Sequence, residues 1–321
     1  MYSQILKKLE SNENNIGIVI HGGAGTILKE NMTPELENSY MMKLEEAVRT
    51  GYDILKNGGS SKEAVEQTIR VMEDSPLFNA GVGAVLTNDE RVSLDASFMD
   101  GKDLNAGAIA GSSFIKNPIT AAIAVMDKSP HVLLSSKGAD DFAIEMGIDT
   151  VPNSYFITER RLNSLRRLKD RNSISYEDPF IKDSKYGTVG SVAIDINGNI
   201  SAGTSTGGTT NKIWGRIGDV PIIGAGNYAN NECCGISATG WGEHFIRNVV
   251  AYDIAAQMIY KNENIEEASK KSLDKVKATG GDGGVIGIDK NGNIAMEFNT
   301  AGMYRAHIDN EGNITIKIYK D

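Results

Sequence analysis

The chain reads as an α+β protein in which antiparallel hairpins stack sheet on sheet beneath a covering of helices. Three observations predict this. Strands and helices come in blocks, without the regular strand–helix–strand alternation of a parallel sheet. The turn pattern D-x-x-G-N occurs at 195–199, 289–293 and 309–313, each time between runs that read as strands. Of 321 residues, 40% are hydrophobic and 23% charged, enough for a full core and outside the disordered and fibrous ranges.

Taken in order, residues 16–20 are an apolar run that ends in His21-Gly22-Gly23-Ala24-Gly25, a buried strand entering a glycine turn. A helix is predicted over about 33–56. A second starts at Ser60 or Ser61, where S-S-K-E forms a capping box, and ends near Glu73. Strands follow at 84–87, 92–98 and 106–114, then a helix at 118–126, a strand at 131–135 and a helix at about 137–146. Polar and charged residues dominate 153–187, which reads as a linker with 172–175 and 181–185 as its mobile parts. At Thr188 the composition changes abruptly to a hairpin whose turn puts Gly198 where a left-handed residue is needed. One amphipathic helix spans 243–260, with Ile246, Val249, Val250, Ile254 and Met258 on one face, and another spans 265–277. Length allows one or two domains, and the element order favours one domain, 1–321, with a polar break in its middle.

Several function classes drop out. The net charge of −9 argues against nucleic acid as a partner. The densest basic stretch, Arg160, Arg161, Arg166, Arg167, Lys169 and Arg171, has helical spacing and reads as a solvated helix face. No apolar run approaches the roughly 20 residues of a membrane span. The first 15 residues carry no apolar leader, which predicts a cytoplasmic protein. Cys233 and Cys234 are adjacent, too close for a relaxed disulfide, and read as small apolar packing. There is no P-loop, no G-x-G-x-x-G, no H-E-x-x-H and no G-x-S-x-G, and His21, His131, His244 and His307 lack metal-ligand spacing.

Glycine is abundant, 35 of 321, and clusters in HGGAG, NAGVGA, STGG, GAG and GGDGG beside apolar strands. This placement fits a glycine-rich pocket rim and fits a set of tight turns equally well. The remaining chemistry is a hydroxyl without a histidine. Thr188, in Gly187-Thr188-Val189-Gly190, stands between the polar segment and an apolar strand. A threonine hydroxyl needs an adjacent base. The threonine's own α-amine, titrating at about 7.7–8.0, supplies one if the Gly187–Thr188 bond is cut. Taken alone, Thr188, Thr204, Thr206 and Thr239 are equally ordinary strand threonines.

The joint order of the motifs separates these readings. HGGAG (21–25), FNAGVGA (78–84), LDASFMDG (94–101), GTVG (187–190), TSTGG (204–208), GRIGDVPIIGAGNYAN (215–230) and TGWGE (239–243) resemble, in family order, the plant-type L-asparaginase / isoaspartyl peptidase branch of the threonine N-terminal nucleophile hydrolases. The resemblance covers nearly the whole chain. It implies a four-layer αββα sandwich, self-cleavage into an α chain 1–187 and a β chain 188–321, and hydrolysis of β-aspartyl isopeptide bonds and of the L-asparagine side-chain amide. It implies Thr188 as nucleophile, Thr206 tuning it, Asn79 positioning it, and the Thr239 hydroxyl with the Gly240 N–H as oxyanion hole.

It further implies that Arg216 holds the substrate α-carboxylate, and that Asp219 with the Gly242 carbonyl holds its α-ammonium. On spacing alone, Arg216 and Asp219 also fit a surface ion pair. The family holds a structural sodium ion on backbone carbonyls, here those of Met72, Glu73, Phe78, Ala80 and Val82, and uses no other cofactor. A homo-oligomer, a dimer of αβ units acting on small-molecule substrates without membrane or nucleic acid, is expected. Trp241 stands where the family is often small or polar; an indole there either narrows the pocket or covers its rim. A glycosylasparaginase is a rival in the same chemistry, but it carries aspartate before its threonine and is exported or lysosomal. A non-processing scaffold homologue is the rival from another class, and the full set of expected catalytic residues argues against it.

Overall fold

The computed structural model of the chain describes residues 15–170 and 187–320. The first strand, β1, covers Gly17–Gly25. Helix α1 (Pro34–Lys56) starts where Thr33 accepts the Leu36 N–H and Pro34 occupies a first-turn position that needs no donor. Helix α2 (Ser61–Glu73) starts where Ser60 accepts the Glu63 N–H, as the S-S-K-E box predicts. Then come β2 (Leu94–Asp100), β3 (Ala106–Ser112), α3 (Pro118–Lys128), β4 (Leu133–Ser135), α4 (Ser136–Glu145) and α5 (Glu159–Asp170). The second half holds β5 (Val189–Ile194), β6 (Ile200–Thr206), β7 (Asn227–Asn230), β8 (Cys234–Gly240), α6 (Gly242–Asn248), α7 (Val250–Lys261) and α8 (Ile265–Ala278). It ends with β9 (Gly283–Asp289), β10 (Ile294–Phe298), β11 (Gly302–Ile308) and β12 (Ile314–Tyr319).

Two sheets form. One has eight strands in the order β12-β11-β1-β5-β6-β2-β3-β4 and the other four in the order β10-β9-β8-β7. All pairings are antiparallel except β3 with β4. Strand alternation assigns the faces. Ile18 and Ile20 of β1 with Val189 and Ala193 of β5 share a cluster with Leu44, Val65, Ile69 and Ile119 of α1–α3. The alternate residues Val19, Val192 and Ile194 instead pack with Ile286 and Ile288 of β9. Ile236 of β8 and Val285 of β9 pack against Ile254 and Leu273 of α7 and α8. Among the described residues no helix is long and apolar enough to cross a membrane.

The three D-x-x-G-N turns share one chemistry. Asp195, Asp289 and Asp309 each accept backbone N–H groups two and four residues ahead, closing the loop from inside.

Four expectations change, the first being that residues 84–87, expected as a strand, make only the isolated bridges Leu86–Val92 and Thr87–Lys212. The HGGAG segment is not a turn but the bulged continuation of β1, its register shifting between His21 and Gly23. The expected helix over 243–260 is two helices, broken at Val249, which adopts a left-handed φ of 47°. The break frees the Tyr252 N–H to donate to the Gly224 carbonyl. The basic stretch is not simply a solvated face. Arg160 donates to the Pro76 and Leu77 carbonyls and Arg161 to the Gly83 carbonyl, while Leu165 and Leu168 are buried. Burial pushes the Arg161 guanidinium down to about 10. Within 153–187 the structure thus has a short 3-10 turn at Asn153–Phe156 and helix α5. Arg171 and the segments 172–175 and 181–185 lie outside the described residues.

Candidate active site

The facing surfaces of the two sheets are apolar over most of their area but polar at one end. By alternation, His21, Asp95, Thr188, Thr204 and Thr206 of the large sheet and Ser237 and Thr239 of the small one project into this gap. All seven are buried.

Thr188 lies immediately before β5. The β5–β6 register pairs Val189 with Ser205, so one step further sets Thr188 beside Thr206. Its hydroxyl donates to Thr206 Oγ1 at 3.0 Å, and Thr206 Oγ1 also accepts the Gly208 N–H at 3.0 Å. The Gly187 carbonyl, the acyl group of the expected scissile bond, accepts the Asn79 main-chain N–H at 2.9 Å. In the Asn79 side chain, Nδ2 donates to the Gly208 carbonyl and Oδ1 accepts the Val85 N–H. It therefore ties the 78–84 loop to the residues after Thr206. Gly23, with φ of 109°, packs so closely on Gly187 that any side chain there would overlap its Cα.

The residue next to Gly23 reaches the other sheet. The Ala24 N–H donates to Thr239 Oγ1 at 3.4 Å. Consecutive residues of β1 thus touch Gly187 and Thr239, which brings the expected nucleophile turn and oxyanion strand to one place. Gly240 follows with φ of 156°, a conformation that favours glycine, and a Cβ there would overlap Asp282, Phe245 and Gly283. Trp241 turns its indole edge-on to His244, with ring centroids 4.7 Å apart.

Arg216 and Asp219 converge on Gly242: a Cβ there would lie 3.0 Å from Arg216 Nη2 and 2.8 Å from Asp219 Oδ1. They are not the surface ion pair that spacing also allowed. The Arg216 fork is held by Glu243, with Nε and Nη2 donating to the two carboxylate oxygens at 3.0 and 2.9 Å. Burial works against the Arg216 charge, but the Glu243 hydrogen bonds and the nearby acids outweigh it and hold the group above its ordinary value. Burial pushes Asp219 up to about 7 against the pull of Arg216, and its Oδ2 is buried without a hydrogen-bond partner. Lys212 donates to the Ser93 carbonyl and lies 4.0 Å from Asp95, which pairs across the strands with Thr206.

Three features escaped the sequence reading. Glu243 occupies the Arg216 fork, although it sits in the TGWGE motif. Lys212 and Asp95 flank Thr206, and only the LDASFMDG match pointed near them. His21 and Ser237 form a buried polar link between the sheets. The histidine stood in HGGAG, and strand alternation from Thr239 points to Ser237. Glu73 is also buried. Its Oε1 accepts from Ser205 and the Ile119 N–H, and burial pushes its carboxyl up to about 8.

A family model described as "Asparaginase" matches residues 14–318. The isoaspartyl peptidase of Escherichia coli (strain K12) is 46% identical over 293 residues, covering 90% of this chain and 91% of the relative. The isoaspartyl peptidase/L-asparaginase of Xenopus laevis is 41% identical over 296 residues, with 92% of each chain covered. That of Bos taurus is 39% identical over 287 residues, covering 89% and 91%. With its expected nucleophile, oxyanion strand and carboxylate-binding arginine gathered at one end of the two sheets, the chain belongs to the asparaginase family.

Proposed function

We propose that the chain is an isoaspartyl peptidase with L-asparaginase activity, activated by its own cleavage at Gly187–Thr188. The observation that carries this is the Thr188 hydroxyl, bonded to Thr206 and placed opposite the Thr239–Gly240 strand, in a chain of this family. In the precursor, the Thr188 hydroxyl attacks the Gly187 carbonyl carbon while the Asn79 N–H polarises its oxygen. The acyl group passes from the Thr188 nitrogen to its oxygen, and water hydrolyses the resulting ester, leaving Gly187 as a carboxylate and Thr188 with a free amine.

In the mature enzyme that amine takes the hydroxyl proton as Oγ1 attacks the side-chain carbonyl of the substrate. The Thr239 hydroxyl and the Gly240 N–H stabilise the oxyanion. The departing amine or ammonia takes up the proton, and water then frees aspartate from the acyl-enzyme. Donors so aimed are commonly worth about 2.7–4 kcal/mol each. The packing of α1–α3, the two sheets and α7–α8 supports a four-layer αββα sandwich for the architecture. We extend the same reading to a dimer of αβ units in the cytoplasm.

A structural sodium ion on the carbonyls of Met72, Glu73, Phe78, Ala80 and Val82 belongs to this reading. Two of these carbonyls already accept main-chain N–H groups, Glu73 from Val82 at 2.7 Å and Met72 from Ser75 at 3.2 Å, so an ion would take their remaining lone pairs. Bound there, the ion would neutralise carbonyl dipoles and stiffen the loop that carries Asn79.

Thr188→Ala is expected to abolish both self-cleavage and hydrolysis of asparagine and β-aspartyl dipeptides; hydrolysis surviving in that variant contradicts the assignment. On this reading a substrate α-carboxylate displaces Glu243 from the Nε–Nη2 side of Arg216. Accordingly Arg216→Ala raises KM at least roughly tenfold, while Glu243→Gln lowers KM a few-fold, read from steady-state kinetics on asparagine. Asp219 must be ionised to hold an ammonium, and burial sets its titration at about 7. As pH falls through that value the carboxylate is protonated and kcat/KM drops. Asp219→Asn raises KM and leaves the limb set by the Thr188 amine, measured as a pH profile.

A further inference from the structure

His21 is fully buried, and both of its ring nitrogens are engaged. Nδ1 lies 3.0 Å from the Thr188 carbonyl oxygen and Nε2 lies 3.0 Å from Ser237 Oγ. Proton counting fixes the arrangement. A carbonyl only accepts, so Nδ1 carries the hydrogen. Burial pushes the imidazole down to about 3, so it is neutral at working pH and Nε2 is a bare acceptor. Ser237 has one hydroxyl proton and two acceptors in reach, Nε2 at 3.0 Å and the Gly203 carbonyl at 3.2 Å, and the shorter contact, to a nitrogen with no other donor, takes it. Ser237 Oγ then accepts from Thr204 Oγ1, 2.7 Å away, whose other acceptor, the Gly226 carbonyl, is farther at 3.2 Å. The result is a directed chain of hydrogen bonds from Thr204 through Ser237 and His21 to the carbonyl of Thr188.

The chain bridges the two sheets. His21 pairs in register with Gly190 of β5, two residues after Thr188, while Ser237 lies on β8, two residues before Thr239 and on the same face. An independent feature marks the bridge: a side chain at Gly190 would overlap both Ser237 Oγ and His21 Nε2, so glycine at this point of GTVG clears the space for that hydrogen bond.

We propose that His21 is a positioning residue for the hydrolysis. Its Nδ1–H holds the Thr188 peptide plane, and its link to Ser237 fixes the spacing between that residue and the Thr239–Gly240 strand. It neither takes nor gives a proton during turnover. This rests on the reading of Thr188 as the nucleophile.

The test uses His21→Asn, which keeps a donor near the Nδ1 position and loses the link to Ser237, together with Ser237→Ala and the double variant. Activity on asparagine is normalised to the amount of chain that begins at Thr188. Misplacement of a reacting group costs roughly ten- to a hundredfold in rate. His21→Asn and Ser237→Ala are each expected to lower kcat in that range with KM nearly unchanged. The double variant should be no worse than His21→Asn alone, because both cut the same chain. The pH profile of kcat/KM should keep its limbs.

Loss of the acidic limb in His21→Asn would make the imidazole a base and overturn the proposal. So would kcat within twofold of the parent in both single variants, or independent losses that multiply in the double variant. Hydrolysis by Thr188→Ala would instead defeat the nucleophile assignment and leave these outcomes distinguishable.

Discussion

The expected nucleophile and its oxyanion hole stand on different sheets, and everything at the site depends on how far apart those sheets sit. Stacked sheets lie about 10 Å apart when side chains interdigitate between them. At the polar end the apolar filling stops, and strand β1 spans the gap instead. His21 reaches Ser237, Gly23 lies against Gly187, and Ala24 reaches Thr239. Three nearly consecutive positions of one strand thus set the relation between the two halves of the reaction centre. The glycines of HGGAG serve this closeness, since a side chain at Gly22 would overlap Phe78 and one at Gly23 would overlap Gly187.

Polar groups in such a gap are costly unless they are satisfied, and most of them are. Among the described residues Asn227 Oδ1, on the same face as its cross-strand partner Ser237, is one exception, and two others lie near Arg216. Asp219 Oδ2 and Asp95 Oδ2 are buried without hydrogen-bond partners, and both lie in the neighbourhood of Arg216. A substrate ammonium beside Asp219 would restore what the empty geometry lacks. Glu243 meanwhile keeps the Arg216 charge satisfied. On the proposed reading, a site held by its own ion pair would suit a zwitterionic head.

Features governed by local chemistry were legible in the sequence. The cap at Ser60 and the three D-x-x-G-N turns depend on a few neighbouring residues, and each forms as expected. Thr188, Thr206, Arg216, Asp219 and Thr239 were found through the order of seven motifs, which no single spacing would have supplied. Features decided by distant partners were not legible. The HGGAG strand looks like a turn because its reason to be glycine-rich is Gly187, far along the chain. Arg160 and Arg161 look solvated because the carbonyls they bind lie about 80 positions upstream. Val249 gives no local sign of a helix break whose partner is Gly224. His21 and Ser237 meet only when the sheets stack.

The claim on which the rest turns is that Thr188 becomes an N-terminus. N-terminal sequencing of the purified protein after incubation at neutral pH tests it directly. The account predicts a second N-terminus beginning Thr188-Val189-Gly190-Ser191, increasing with time. A cut at any other bond, or asparagine hydrolysis by a chain that retains only its original N-terminus, would contradict it.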